Sequence, residues 1–449
     1  EKIDYVELDP LVINLLRKFK TPLTRAEFND ERVRVRHIDG RLFLKTSTEK
    51  YDLIFVGISD PSNLQTNRFF TREFFSIAKK RLNEKGILVT TMPGSLTLMN
   101  EELRNLNSSI YHSLKGVFSH IRVIPGSGHN IFLSSDSPEI KLLDKARVQE
   151  TLRQRHMGHE VSLPWYIENK LHPGWLEWFS SFIEGSSQKI NSDFSPMGVF
   201  YSIAYWNELF NPSFSWFFRQ IEKIDLREIV YFLVGLSALF FLFGRRTKRL
   251  IHTGVPISIF TTGIAGMVFS LVLIFAFQTI YGYVFSWIGL LVAIFMAGAA
   301  FGSMLVVKMM DRLKSCSSLF LKIELSIMLF SISLPLIFVT ANAYLATRQT
   351  FFLFKIIFLL LSFVSGFLVG SQFPLANRLY LAASKSITKT AGLLYASDLF
   401  GGWFGGIAGS VVLLPVLGLN STCVTLALLK LASLTILIRT NHHHKGGQK

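Results

Sequence analysis

Cysteine is nearly absent from this chain. The 449 residues include two, Cys316 and Cys423. They fall at opposite ends of apolar segments, so a disulfide between them is not expected. Neither sits in a Cys-x-x-Cys or Cys/His cluster, so no metal site is implied. Acidic residues are scarce beside basic ones: 31 Asp and Glu against 47 Lys and Arg, a formal net charge of +16. No Lys/Arg-rich run is interleaved with aromatics, which argues against a nucleic-acid groove. The excess of base fits loops at a membrane surface. An initiator methionine and a signal peptide are also missing. Glu1-Lys2 leads straight into a strand, so the expectation is of a piece whose amino-terminal part is absent. What the chain has in quantity is apolar mass: 49% hydrophobic residues and 41 Phe. The excess lies after residue 228.

Three acids mark the first sixty residues. Ile3-Asp4-Tyr5-Val6-Glu7-Leu8 reads as a strand, and Asp9-Pro10 as the cap and first residue of a helix running to about Phe19. Glu7 stands at that strand's carboxyl end. Val33 and Val35 alternate with Arg34 and Arg36, a strand with one polar face, which Asp39-Gly40 ends before a short helix through Phe43. Leu53-Ile54-Phe55-Val56 suits a strand buried on both faces of a parallel sheet. It breaks at Gly57-Ile58-Ser59-Asp60-Pro61, and a helix restarts near Thr71, with Glu73 in its first turn. Taken singly, Asp39-Gly40 and Asp60-Pro61 are equally well read as turns. Three acids ending three successive strands of a βαβ series is a more specific pattern, because open α/β sheets bind ligands beyond the carboxyl ends of their strands.

Gly86 to Thr91 reads as a further strand. A helix follows from Asn100 to Leu114, with Leu103, Leu106, Ile110 and Leu114 on one face. Ile121–Ile124 and Asn130–Leu133 read as a hairpin around Pro125-Gly126-Ser127-Gly128, beside which His129 is structural or at the surface. The expected fold class is α/β, Rossmann-like, of the class I methyltransferase type truncated at its first strand, over residues 1–140. Residues 141–227 form an aromatic-rich extension carrying Trp165, Trp175, Trp178, Trp206 and Trp216. Its aromatics beside the carboxylate of Asn191-Ser192-Asp193-Phe194-Ser195-Pro196 suit a diamine. They equally suit an interfacial belt beside a membrane.

Residues 228–440 read as an all-α, multi-span transmembrane domain, and 441–449 as a basic tail. Ile229–Gly244 is short for a crossing. Candidates follow near 257–280, 284–307, 319–341, 352–372, 391–415 and 422–438, about six or seven spans in all. Phe295-x-x-Gly298-x-x-x-Gly302-Ser303 recurs as Phe363-x-x-Gly366-x-x-x-Gly370-Ser371, and both segments end in Arg-Leu, an internal repeat of a helical hairpin. Gly401-Gly402, Gly405-Gly406 and Gly409 permit close helix packing. Asp398 is a functional candidate as an ionisable residue inside a span, or a structural group at headgroup level. The loops 244–252, 308–314 and 378–389 are basic and are expected in the cytoplasm. If Ile229–Gly244 is re-entrant or interfacial, the first domain is cytoplasmic too; if it crosses, that domain is outside.

The segment Gly57–Pro61 resembles the active-site Asp-Ser-Ser-Asp-Pro of the aminopropyltransferases, the spermidine synthase family. The second Asp is kept as Asp60, and Gly57 stands where that family has its general base. Asn67-Arg68-Phe69-Phe70-Thr71-Arg72-Glu73-Phe74-Phe75 resembles the membrane-attached branch of the same family. The resemblance implies that decarboxylated S-adenosylmethionine is the co-substrate, with no metal. It implies that Glu7 holds the ribose and Asp39 and Gly40 the adenine. Asp60 and Tyr201 would face the amine, with Asp60 catalytic. It places the first strand and its glycine-rich loop ahead of Glu1, so the piece alone is expected neither to bind a nucleotide tightly nor to form the native sheet. The reaction implied is aminopropyl transfer to a diamine such as putrescine, at the cytoplasmic membrane. The implied partners are a lipid bilayer and a small polyamine, with no nucleic acid; oligomerisation is left open. A second reading is a polyamine or other cation transporter with a degenerate, ligand-sensing soluble domain.

Overall fold

A computed structural model describes residues 2–155, 164–243, 250–282, 285–312, 315–344, 348–384 and 386–446. Its contacts divide into two units, Glu1–Ser215 with Tyr281–Tyr283, and Trp216–Ile280 with Val284–Lys449. Of the basic stretches named above, residues 244–249, 313–314, 385 and 447–449 lie outside the described residues.

The first unit alternates strands and helices. β1 (Ile3–Val6), α1 (Pro10–Lys18), α2 (Pro22–Asn29) and β2 (Val33–Arg36) come first. The Asp9 carboxylate accepts from Leu11 N–H at 2.8 Å with Pro10 in the first turn, a cap worth about 1 kcal/mol. α3 (Gly40–Thr46), β3 (Tyr51–Phe55), α4 (Leu64–Asn67) and α5 (Arg72–Lys80) follow, then β4 (Leu82–Gly94), α6 (Glu101–Lys115), β5 (His120–Ile124) and β6 (Gly128–Ser135). The strands form two sheets. One is the parallel pair β1-β2; the other has the order β3-β4-β6-β5, parallel between β3 and β4 and antiparallel beyond. Gly128, the first residue of β6, has φ 93°, a conformation glycine adopts at no steric cost. The Tyr51 hydroxyl donates to Asp4 Oδ2 across the two sheets at 3.0 Å.

The expected helix face holds: Leu103, Leu106, Ile110 and Leu114 are fully buried, with Phe74, Phe75, Leu88, Met92 and Phe132. Each such side chain contributes about 1.5–3 kcal/mol by leaving water. β3 departs from expectation. Ile54 and Val56 are buried, but Leu53 and Phe55 are 58% and 63% exposed. The strand is apolar on both faces, yet only one face is covered by packed elements. The unit continues through α7 (Lys145–Gln154), α8 (Pro164–Lys170), α9 (Pro173–Glu184) and α10 (Met197–Phe210).

The second unit is helical: α11 (Ser215–Glu222), α12 (Leu226–Phe243), α13 (Leu250–Tyr281), α14 (Phe285–Met309), α15 (Cys316–Tyr344), α16 (Arg348–Ser384), α17 (Ile387–Ile407) and α18 (Gly418–Gly446). Among the described residues, five stretches are long and apolar enough to cross a membrane: Thr253–Tyr281, Ser286–Arg312, Cys316–Thr340, Phe352–Ala382 and Ile387–Ile438. The last is interrupted at Gly418, whose φ of 78° no straight helix holds. The repeated glycine motifs pack on each other. A Cβ on Gly298 would overlap the Phe363 carbonyl, one on Gly302 that of Phe367, one on Gly366 that of Phe295 and one on Gly370 that of Ala299. α14 and α16 therefore run parallel, backbone against backbone. Gly263, Gly401 and Gly405 join α13 to α17 in the same way, against Asp398, Phe260 and Ile264. Close backbone approach of this kind requires the absence of a side chain.

Candidate functional site

The three acids stand at the carboxyl ends of β1, β2 and β3, where parallel strands present ligand-facing loops. Glu7 follows β1; its backbone N–H donates to the Arg36 carbonyl at 3.0 Å, and its Oε1 accepts from Asp9 N–H at 3.0 Å. This keeps Glu7 beside the start of α1, half-exposed.

Asp39 is buried at the start of α3. Its Oδ1 accepts from Leu42 N–H at 3.0 Å and from Arg68 Nη1 at 2.9 Å, and its Oδ2 from Arg68 Nη2. Gly40 is the first residue of α3, and a Cβ there would touch the Phe69 ring at 3.4 Å. The Arg68 guanidinium lies 4.6 Å from the centre of the Phe69 ring. The end of β2 is thus clamped to the segment that follows β3.

One residue on, Arg41 makes a second two-pronged pair. Its Nη1 donates to Asp193 Oδ1 at 2.7 Å and to the Arg68 carbonyl at 2.8 Å, and Nη2 donates to Asp193 Oδ2. Thr71 Oγ1 adds a bond to Asp193 Oδ1 at 2.7 Å, while the Asp193 N–H donates to Glu73 at 2.9 Å. Burial alone would lower the Arg41 pKa; Asp193 more than offsets it and holds the guanidinium charged. Glu73 is pushed above the usual carboxylate range by burial and then by the Asp193 charge. Asn191 completes the hub, donating to Asn67 Oδ1 and to the Phe70 carbonyl, both at 2.9 Å, and accepting from Gly198 N–H at 3.0 Å. The Asn67–Phe75 motif is therefore the ledge on which residues 191–198 are locked.

Asp60 lies beyond β3, half-buried, and its Oδ2 accepts from Trp206 Nε1 at 3.2 Å. Trp206 sits on α10, 43% exposed, with the Tyr205 ring 5.8 Å away and Phe210 stacked at 6.4 Å. Burial raises the Tyr205 phenol's pKa, so it remains a neutral hydroxyl at physiological pH. A carboxylate beside an indole ring can hold an ammonium group through charge and cation–π attraction. Tyr201 lies one turn earlier, fully buried, with its hydroxyl donating to Ser187 Oγ at 2.6 Å. Of the two, Trp206 is the aromatic in contact with Asp60. Gly57 is exposed, and a side chain there would meet only Phe55 Cε1, at 3.9 Å.

A cavity of about 170 Å³ opens between α6, β5 and α9, lined by Tyr111, Arg122, Lys141 and Phe179 among others. None of Glu7, Asp39, Gly40 or Asp60 lines it. Among the described residues, no three His, Cys, Asp or Glu side chains gather as metal ligands. The Arg41–Asp193 pair escaped the sequence reading because its partners are 152 positions apart; the available signal was an arginine on the same helical face as Leu44.

Residues 1–144 match the family model described as the spermine/spermidine synthase domain. A polyamine aminopropyltransferase of Clostridium beijerinckii is 42% identical over 89 residues, 20% of this chain and 31% of that protein. One from Prochlorococcus marinus is 31% identical over 160 residues, 34% of this chain and 54% of that protein. The chain thus spans between about a third and a half of the length of these curated relatives. Among solved structures, spermidine synthase from Thermotoga maritima aligns at 22% identity over 38% of this chain and 60% of that one, with a TM-score of 0.28.

Proposed function

Starting from a spermine/spermidine synthase domain in residues 1–144, we propose that the protein transfers an aminopropyl group from decarboxylated S-adenosylmethionine to a diamine such as putrescine. The observation that carries this reading is Asp60 beyond β3, held by the indole of Trp206 with Tyr205 alongside. In the reaction an amine nitrogen attacks the propyl carbon next to the sulfonium. A C–N bond forms, the C–S bond breaks, and methylthioadenosine leaves with the electron pair on sulfur. The attacking nitrogen must shed protons, since amines are charged at neutral pH.

Asp60 holds the diamine's ammonium and orients it. With Gly57 at the base position, Asp60 itself or a water it holds receives the proton. Glu7 takes the ribose hydroxyls beside α1. Asp39 and Gly40 face the adenine, Asp39 being set in place by Arg68. Tyr201 acts on the amine side through its anchoring of α10 on Ser187, which fixes where Trp206 stands. The five apolar stretches support a multi-pass membrane protein, and we place the first unit on the cytoplasmic side, where S-adenosyl compounds are made. The second reading, a cation carrier with a ligand-sensing domain, draws on one observation, a charged pair buried in the helical unit.

The test is incubation of the full-length protein in nanodiscs with decarboxylated S-adenosylmethionine and a panel of diamines. The expected result is amine-dependent release of methylthioadenosine, reduced about 10²-fold or more in Asp60→Ala. No release with any diamine would overturn the proposal.

A further inference from the structure

The second unit buries a polar cluster that the proposed transfer chemistry does not use. Glu324 on α15 and Lys430 on α18 pair at 3.2 Å with both side chains fully buried. Ser258 of α13 donates to Glu324 Oε2 at 3.1 Å, and Gln372 of α16 donates to the same oxygen. Lys430 Nζ also donates to Thr262 Oγ1 at 2.6 Å and Thr261 Oγ1 at 3.2 Å. Asp398 of α17, half-buried, lies within electrostatic reach of Lys430. We infer that Glu324, Lys430 and Asp398 form a proton-binding site that holds one exchangeable proton on a carboxyl group inside the helical unit.

Three observations carry this. The first is charge. One ammonium pairs directly with Glu324 and feels Asp398 at longer range, and the groups packed around the pair from α13 and α16 are hydroxyls and an amide. Glu324 and Asp398 are the charged groups acting on Lys430. The buried thiol of Cys423, two turns earlier on α18, carries no charge at neutral pH. Fully ionised, the cluster has a net charge of −1, and an uncompensated charge in a low-dielectric interior costs several kcal/mol. One proton removes it.

The second is a vacancy in the bonding. Glu324 Oε1 is buried and has no hydrogen-bond partner among the described residues, while Oε2 is crowded by three donors. Oε1 is thus open to a proton while Oε2 keeps its three donors. The third is depth. Counted from the span ends at Thr253, Cys316, Ala382, Ile387 and Ile438, residues Thr262, Glu324, Gln372, Asp398 and Lys430 lie roughly 12–17 Å along their helices at 1.5 Å per residue. That is mid-depth for a hydrocarbon core of about 30 Å. Asp398 is the half-exposed member; Glu324 and Lys430 are fully buried. Uptake forms an O–H bond on one carboxyl and leaves the cluster neutral; release returns the proton to water.

Infrared difference spectroscopy with hydrogen–deuterium exchange on the full-length protein in nanodiscs tests this, scanning from about pH 5 to about pH 9. The expected wild-type signal is a buried carboxyl C=O band that shifts in deuterium oxide and fades as pH rises. Asp398→Asn and Glu324→Gln each balance the charge and should abolish the band. Lys430→Met leaves two acids with no ammonium and should raise the band about twofold. Asp398→Asn is isosteric and touches no hydrogen bond of the pair, so it reads out even where Glu324→Gln fails to fold. Asp311→Asn, whose carboxylate is 98% exposed, should change nothing. Absence of the band throughout the range, or its survival in Asp398→Asn, would overturn the inference.

Discussion

Asp39 and Asp193 in the first unit each meet an arginine in two-pronged geometry, with Thr71 and the Leu42 N–H filling remaining positions. Glu324 in the second unit pairs with a lysine that also feels the charge of Asp398, and it leaves one oxygen unbonded. Both clusters are buried and both couple distant parts of the chain. The first pairs each aspartate with its own arginine through two hydrogen bonds, a geometry suited to holding segments of chain together. It holds β2, α5 and residues 191–198 in register so that Asp60 and Trp206 meet. The second is unbalanced and open at one oxygen, which suits a group that exchanges a proton. Burial alone therefore does not separate structural from functional charge; the count of donors against acceptors does.

The contrast is most easily broken by truncating each cation. Arg41→Ala leaves Asp193 buried without its partner and should cost about 3–5 kcal/mol, read as a large fall in the denaturation midpoint of the detergent-solubilised protein. Lys430→Met should cost less, because its two carboxyls can take up protons; an equal or larger loss would erase the distinction. Helix packing offers the next largest effect. Gly366→Val would drive a side chain into the Phe295 carbonyl on α14 and should destabilise the helical unit by about 1–3 kcal/mol. Gly289→Val, at a glycine with open space around it, should leave the thermal transition unchanged.

The smallest effect concerns pH. Burial and the Asp193 charge raise the folded-state pKa of Glu73 above its ordinary 4.5. Between those two values the folded protein holds more protons than the unfolded one, so stability declines as pH rises through the window and stays lower above it. Glu73→Gln keeps an acceptor for the Asp193 N–H and should be the more stable form at neutral pH. Its advantage should vanish below about pH 4. Denaturation midpoints across pH check this; a constant difference at every pH would refute the assignment.

Much of the first unit was legible because its signals are local. Asp9 before Pro10 and Thr71 before Glu73 are caps that act within three residues. Glu7, Asp39 and Asp60 could be placed at strand ends by spacing alone. The bonding of Asp39 to Arg68 and of Arg41 to Asp193 was not legible, since tertiary contacts join residues 29 and 152 positions apart. Nor was the one-sided burial of β3, where an apolar run conceals which face is covered. In the helical unit the recurrent glycine motif was visible, but not that its two copies grip each other. Glu324 and Lys430 passed as single charges in apolar spans; each became informative only when α15 and α18 brought them together.

If Asp60 carries aminopropyl transfer without the usual second carboxylate, restoring a carboxylate at position 57 should raise the rate. The most direct measurement compares initial rates of methylthioadenosine release by the full-length protein and its Gly57→Asp form, with Asp60→Ala alongside. A carboxylate at position 57 has room, with Phe55 Cε1 at 3.9 Å as its nearest neighbour and a backbone outside the left-handed region. The expected result is a slow wild-type rate that depends on Asp60, and a rise of about 10²-fold in Gly57→Asp. A Gly57→Asp rate no higher than wild type, with release undiminished in Asp60→Ala, would contradict it.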